Sequence, residues 1–305
     1  LTGKRSITKI LIFGKNGQLG KAIYENLKNL YFVKGLTKNE CDITNIINVN
    51  NNVSNFLPDI IINAAAYTNV DSAEKYVLDA ININATGVEN IIRSMENKNI
   101  LFIHYSTDYV FDGNTSIPYH ELCKRSPINS YGMSKYMGER LIENFYNKYY
   151  ILRTSWVYDD CNVNNFPNKI LNRYLEEKDI QIVKDQKGSP THVNLISKLT
   201  ESLILKYNTL SESEKYNSYG TYHATSRGQT SWYDFSRYII EKHCIKKKVK
   251  INYKKIHACS SEKFQSIASR PLNSVLDCSK LEQFLSLKIP TWQYYADKFM
   301  EKKYE

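Results

Sequence analysis

The sequence has no CxxC pair, no internal repeat, no low-complexity linker and no apolar run near the roughly 18 residues of a membrane span. Its six cysteines, at 41, 123, 161, 244, 259 and 278, follow no framework spacing. That excludes a disulfide scaffold, and the thiols read as reduced and mostly buried small hydrophobes. The opening LTGKRSITKI lacks the long apolar core of a signal peptide. These absences lead to the expectation of a cytoplasmic protein with no membrane partner. Acid is also short: 31 Asp and Glu stand against 41 Lys and Arg, a net charge of +10. The lysines are scattered, and the densest cluster is KKKVK at 246–250, followed by Lys254 and Lys255. No nucleic-acid partner is expected from such a pattern; the surplus reads as a solvated surface that attracts anionic substrates.

What is present is ample core and a strict alternation. With 305 residues, 42% hydrophobic and 24% charged, the chain suits one large or two unequal globular domains. Strands are predicted at 9–13, 31–36, 59–65, 99–103 and 149–155, with helices at 21–30, 84–95 and 127–145 between them. Strands separated by helices of this length imply right-handed crossovers and a parallel sheet covered on both faces. Beyond Ser155 the alternation weakens: helices at 164–178, 193–207 and 231–243, and strands at 181–185 and 221–226. The predicted fold is α/β, a Rossmann-type doubly wound parallel sheet with a smaller, interleaved C-terminal lobe. The dinucleotide-binding domain is expected over 1–156 with 189–224 returning to it, and the substrate lobe over 157–188 and 225–305.

GKNGQLG follows the first strand and opens a helix, with glycines at 14, 17 and 20. In this context Gly14 takes a tight turn, Gly17 lets a pyrophosphate approach the backbone, and Gly20 lets the helix pack close to the sheet. The helix N-terminus offers free N–H groups to phosphate. Asn16, Gln18 and Leu19 of the same loop join the three glycines as candidate cofactor contacts. The acid that would hold a ribose 2′-hydroxyl is missing from the end of the second strand, VKGLTKNE. Lys38 is placed to meet a 2′-phosphate, which favours NADPH and leaves NADH open.

YGMSK sets Tyr131 and Lys135 four apart on one helical face. A phenol has a pKa of about 10, and an ammonium held nearby favours the phenolate and lowers that value. A tuned tyrosine can protonate the alkoxide formed when hydride reaches a ketone. Thr107 lies 24 residues before Tyr131 at the carboxyl end of the fourth strand, where a hydroxyl can donate to a substrate carbonyl. Ser106 is the alternative donor. Asp108 reads as a turn former and, with Tyr109, as a substrate neighbour.

With the glycine loop, Thr107 and YxxxK in one order, the chain resembles the extended short-chain dehydrogenases/reductases. NAAAYTNVDSAE (63–74), HYSTDYVFDG (104–113), SPINSYGMSKYMGE (126–139), LRTSWVY (152–158), DQKGSPT (185–191), YHATSRGQTSWYDF (222–235) and SRPLNSVLDCSKL (269–281) narrow this further. Together they resemble the dTDP-4-dehydrorhamnose reductase family over about residues 9–295. The resemblance implies that NAD(P)H delivers hydride to the C4 ketone of dTDP-4-dehydro-L-rhamnose, with Thr107, Tyr131 and Lys135 as the catalytic set. It implies that Lys135 holds the nicotinamide ribose and that Asp42, with Ile43, lies beside the adenine. It places Ala64, Ala65, Ala66 and Tyr67 as a wall of the cofactor site, with Asn84 in support. It sets Val70 and Trp156 against the sugar, and Arg270 and Asn273 against the nucleotide diphosphate, where a guanidinium forks across two oxygens.

One departure is Ser269 before Arg270 and Pro271, where relatives often carry a second arginine. Some family members use magnesium, but no His/Cys cluster or carboxylate set here predicts a metal. A reductase of another dTDP- or UDP-4-keto-6-deoxy sugar stays open. So does a noncatalytic subunit resembling the regulatory subunit of methionine adenosyltransferase, and so does a homodimer.

Overall fold

The computed structural model describes residues 7–96, 98–264 and 266–304. The first six residues, expected in the dinucleotide domain, lie outside the described residues. Strands β1 (Lys9–Phe13), β2 (Phe32–Leu36), β3 (Ile60–Asn63), β4 (Leu101–Thr107), β5 (Tyr149–Thr154) and β6 (Gly220–His223) form one sheet. Every neighbour pair is parallel, in the spatial order 2-1-3-4-5-6. The order reverses between β1 and β3, which opens a crevice at their carboxyl ends.

Helices α1 (Gln18–Leu27), α2 (Ile46–Phe56), α3 (Val70–Lys75), α4 (Val77–Ile81), α5 (Gly87–Ser94) and α6 (Ser130–Phe145) belong to the first half. Side chains alternate along each strand, so every strand feeds two cores. Ile10 and Ile12 join Ile23 and Leu27 of α1 on one face, together with Leu199 and Leu203 of the helix Val193–Thr209. Leu11 and Phe13 join Val49 and Val53 of α2 and Ile91 of α5 on the other. Each such buried side chain contributes about 1.5–3 kcal/mol. In the C-terminal lobe, Ile180–Val183 pairs in parallel with Ile256–Cys259. The helices Trp232–Lys247 and Trp292–Lys302 pack there around Phe235, Trp292 and Phe299.

Several elements differ from the sequence expectation. The fourth strand does not stop at Ile103: it runs to Thr107, and all seven residues are buried. Its polar residues do not end it because all but Ser106, whose hydroxyl is buried without a partner among the described residues, find a partner inside. His104 meets Asn63, the Tyr105 hydroxyl meets Thr200, and Thr107 meets Asp108. Helix α6 starts at Ser130 rather than 127, since Asn129 caps it by accepting from the Gly132 N–H at 2.7 Å. The segment expected as helix 84–95 begins as a π-turn, Asn82–Thr86, before α5. Helix α2 was not expected. Its IINVNNNVSNF is rich in asparagine, a poor helix former, but Asn45 caps it and Val49 and Val53 bury one side.

One buried ion cluster fixes α6 on the sheet. Glu139 takes Nε and Nη2 of Arg153 on β5, each at 2.8 Å, and Nη1 of Arg125 at 2.8 Å. Burial alone would raise the Glu139 pKa; the two guanidiniums reverse that and hold it at about 2. Removing the carboxylate leaves Arg153, itself fully buried, without its counter-charge. Glu139→Ala is therefore expected to cost about 3–5 kcal/mol in urea unfolding. Because the folded pKa is depressed, this stabilisation is complete above the ordinary value of 4.5 and is lost as pH falls toward about 2. The parent should lose stability over that range more steeply than Glu139→Ala.

Candidate active site

The crevice begins at the glycine turn. Gly14 sits at φ +82°, and a Cβ there would lie 2.5 Å from the Ala65 nitrogen. A Cβ on Gly20 would lie 2.1 Å from the Gly14 carbonyl oxygen. These two glycines let the turn, α1 and the end of β3 touch. Gly17 is different: its nearest neighbour would be the Gly14 oxygen at an ordinary 3.4 Å, so its outer side is open. Gly17 is also the N-cap of α1, with no side-chain cap and no acid in the first turn. The helix thus keeps its N-terminal donors free of side chains, which suits a diphosphate. Gln18 adds a buried Oε1 with no hydrogen-bond partner among the described residues. Asn16 is exposed, Leu19 packs against the core, and Ala64, Ala65, Ala66 and Tyr67 follow β3, half-buried.

At the far end of β2, Lys38 is exposed and its charge bears on Asp42. Burial works to raise the Asp42 pKa; the N–H and hydroxyl of Thr44 and Lys38 bring it below the usual value. One Asp42 oxygen is therefore occupied, at 2.9 and 2.8 Å from Thr44. Ile43, expected beside the cofactor, lies next to Asp42 with its side chain turned into the core. Its side chain is buried against Gly87, and its carbonyl accepts from Asn90. The apolar core between α2 and α5 claims it.

Tyr131 and Lys135 lie one turn apart on α6, beside the end of β4. Asn129 and Glu74 hold the start of that helix: Glu74 accepts from the Ser130 N–H and hydroxyl at 2.8 and 2.9 Å. Asn129 also donates to the Ser269 carbonyl across the cleft. A Cβ on Gly132 would meet the Tyr109 carbonyl oxygen at 2.2 Å, and one on Gly138 the Asn84 carbonyl oxygen at 2.3 Å. Backbone contact this close sets the depth of Tyr131 and Lys135. The Tyr131 ring meets Tyr109 edge-on at 5.9 Å. Burial pushes the phenol up to about 12, opposed by the nearby Thr107 hydroxyl.

That value corrects the expectation that Lys135 lowers the phenol's pKa. The Lys135 amine is turned toward β4, where it donates to the Tyr105 carbonyl at 2.7 Å and lies 3.3 Å from His104 Nε2. Thr107 gives its proton to Asp108 at 3.0 Å and accepts from the Tyr109 N–H. Asp108 is fully buried, with Ser155 as a further donor at 2.9 Å, and burial raises its pKa to about 6. It is a brace beneath Thr107 rather than a turn former alone.

Two expected ligand contacts are structural clamps. Asn84, in the π-turn, accepts from the Tyr67 N–H and donates to the Tyr67 carbonyl and to Ser134. Its whole amide ties the loop after β3 to α6. Asn273 donates to the carbonyls of Thr115 and Ile117 and accepts from the Val275 N–H. With every polar atom used, it organises the 113–119 loop. Arg270 donates from Nη2 to Asp71 at 2.7 Å, while its Nη1 is buried with no partner among the described residues. Val70 begins α3 beside that pair. Trp156 stands at φ +48°, a strained position for a bulky residue, with its ring stacked on Trp232 at 3.5 Å. Sequence reasoning missed Asn63, His104, Glu74 and Trp232; the signal for the first two was a polar residue inside an otherwise apolar strand.

Gly17→Ala and Gly20→Ala should separate folding from binding. The first is expected to stay within about 1 kcal/mol of the parent in unfolding. Its methyl group covers the open side of the turn and should weaken NADPH binding about tenfold or more, the loss of one charge-assisted bond. The second should cost about 1–3 kcal/mol by overpacking. Calorimetric melting and fluorescence titration read both.

The family model described as RmlD substrate binding domain matches residues 8–305. The dTDP-4-dehydrorhamnose reductase of Escherichia coli K12 is 36% identical over 288 residues, 93% of this chain and 94% of that one. That of Aggregatibacter actinomycetemcomitans is 37% identical over 294 residues, 94% and 96% of the two chains. The crystal structure of the Bacillus anthracis dTDP-4-dehydrorhamnose reductase in complex with NADP superposes with a TM-score of 0.87, at 36% identity, over 97% of this chain and all of that one. The glycine turn, the Tyr131–Lys135 face and these matches over nearly the whole length place the chain in the dTDP-4-dehydrorhamnose reductase family.

Proposed function

We propose that the chain reduces the C4 ketone of dTDP-4-dehydro-L-rhamnose to dTDP-L-rhamnose with NADPH. The observation that carries this is the meeting of Thr107, at the end of β4, with Tyr131, on the first turn of α6, beside the crevice of the glycine turn. When bound, the dihydronicotinamide supplies a hydride. Gly14, Gly17, Gly20 and the N-terminus of α1 hold its diphosphate, Ala64 to Tyr67 wall it, and Lys38 meets a 2′-phosphate. Tyr131 stands as a neutral phenol across the neutral range, because burial keeps its pKa near about 12. A phenol is the form that reduction needs: it gives its proton to the alkoxide oxygen as the ketone's π electrons move onto that oxygen. Thr107 turns its hydroxyl proton from Asp108 to the same oxygen, and Asp108 keeps its bond from Ser155. The free Nη1 of Arg270 takes the sugar nucleotide's diphosphate, with Asp71 holding the guanidinium in place. Val70, Tyr109 and Trp156 border the sugar, and the segments 157–188 and 225–305 form the lobe that receives it.

Nicotinamide and nucleotide sugars are cytoplasmic metabolites, which supports a cytoplasmic enzyme; among the described residues no helix is long and apolar enough to cross a membrane. We propose a homodimer, and light scattering reads it. The activity is tested by following NADPH and NADH oxidation with dTDP-4-dehydro-L-rhamnose and with its UDP counterpart. Turnover is expected with the dTDP sugar and faster with NADPH. Tyr131→Phe should lower turnover by about two orders of magnitude or more, the general-acid range, with NADPH binding largely kept. Turnover within a factor of a few of the parent would remove Tyr131 from the proton-donating role.

A further inference from the structure

The backbone of Trp156 lies at φ +48°, a region that bulky residues rarely enter. Trp156 follows Ser155, whose hydroxyl bonds Asp108 behind Thr107, so the strained residue stands beside the reacting groups. Two neighbours close its ring from opposite sides. The Trp232 ring lies 3.5 Å away and within 6° of parallel. A Cβ on Gly188 would lie 2.3 Å from Trp156 Cε2, 2.5 Å from Nε1 and 2.6 Å from Cζ2. An approach in the ring plane would come nearer to Nε1 than to Cε2, so Gly188 faces the flat side that Trp232 leaves free. Only the rim of the half-buried indole stays open. Both covers come from one ribbon. Lys187–Gly188 pairs antiparallel with Thr230–Ser231, and Trp232 follows at once. The Ser189 hydroxyl ties the ribbon again, donating to the Gly228 carbonyl at 2.6 Å. Phe166 backs Trp232 at 4.3 Å, and the Thr191 N–H donates to the Trp156 carbonyl at 3.1 Å.

We propose that Trp232 and Gly188 are positioning residues for sugar binding: they clamp the Trp156 ring between them and hold it where it borders the sugar. The inference rests on the proposed function for the identity of that sugar nucleotide. The physical reason is over-determination. A bulky residue at positive φ relaxes to an ordinary backbone conformation unless its surroundings forbid it. An indole free at both faces could also swing about its two side-chain torsions. Covering both faces leaves one orientation, set before the sugar arrives, so binding does not carry the cost of ordering the ring. Gly188 has no room for a side chain, because the indole already fills the place of its Cβ. The ribbon also joins the chain segments 157–188 and 225–305, the two parts of the lobe proposed to receive the sugar. Trp232 and Gly188 therefore act on the ligand through Trp156 and need not touch it.

The test saturates the full chain with NADPH and titrates it calorimetrically with dTDP-L-rhamnose, two reduced partners that cannot react. Trp232→Leu and Gly188→Ala act on opposite faces of the ring. Each should weaken dTDP-L-rhamnose binding about tenfold or more, while NADPH binding stays within about twofold of the parent. Trp232→Phe keeps a flat ring against Trp156 and should recover most of the loss. In a Trp156→Leu background, Trp232→Leu should add nothing, because its effect runs through that ring. Circular dichroism reads the stack itself. Two parallel indoles give a paired exciton band in the ligand-free parent, and the band should vanish in Trp232→Phe. Trp292, the third tryptophan, packs on Phe235 and Tyr238 instead. Melting curves identify variants that fail to fold; if Trp232→Leu is one, Gly188→Ala decides the question. A parent without the exciton band, or one that does not bind dTDP-L-rhamnose, would overturn the inference. So would a folded Trp232→Leu or Gly188→Ala with parental sugar binding, or one that loses NADPH and sugar binding equally. A full Trp232→Leu effect in the Trp156→Leu background would do the same. A parent that binds dTDP-L-rhamnose but reduces no ketone would instead overturn the proposed reaction and leave the clamp standing.

Discussion

The buried carboxylate of Glu139 between two guanidiniums is the contact on which the site's geometry depends. Tyr131, Lys135, Glu139 and Glu143 repeat every four residues, so they form one row along α6. Glu139 is anchored to Arg153 of β5, and Glu143 takes both nitrogens of Arg125 at 2.7 and 2.9 Å. Fixing the two C-terminal members of the row fixes the rotation of the helix. The two N-terminal members then have no freedom but to face β4. Removal of the charges from water is costly, and it is the mutual satisfaction of three groups, not any single pair, that makes the arrangement tolerable.

The second constraint is closeness. Gly14 and Gly20 bring the turn against the end of β3, while Gly132 and Gly138 bring α6 against the loop after β4 and the π-turn. The crevice at the switch point is therefore bounded by backbone on several sides, and its side chains enter from strand ends. Asn84, Asp71, Glu74 and Asn129 spend their polar atoms stitching these boundaries together. The open side of Gly17, the Oε1 of Gln18 and the Nη1 of Arg270 are left without a partner among the described residues.

Much of this was legible in the sequence, for identifiable reasons. The apolar strands and the amphipathic α1 announce themselves by period. The glycine turn does so by context, and Tyr131 with Lys135 by spacing. What the sequence hid were polar residues whose partners are distant in the chain. HYST looked like the end of a strand because nothing local satisfies His104 or Tyr105; the partners are Asn63, 41 residues earlier, and Thr200, 95 residues later. Asn84 and Asn273 were expected at the ligand from the family resemblance; that their amides also clamp loops could not be read until those loops were in place. Helix α2 was missed because asparagine argues against helix, and only the cap and two buried valines override it. The direction of the Tyr131 pKa was misjudged for the same reason: the Lys135 amine faces a carbonyl and an imidazole that lie on another element.

The central claim is that this row delivers a proton to the oxygen of a ketone whose carbon receives hydride from a nicotinamide held at the glycine turn. The most direct measurement is to supply [4-²H]NADPH, labelled on each face in turn, with dTDP-4-dehydro-L-rhamnose, and to read the product by NMR. The account expects deuterium at C4 of the sugar from one face only, in the L-rhamno configuration. Product without deuterium at C4, or oxidised cofactor without reduced sugar, would contradict it.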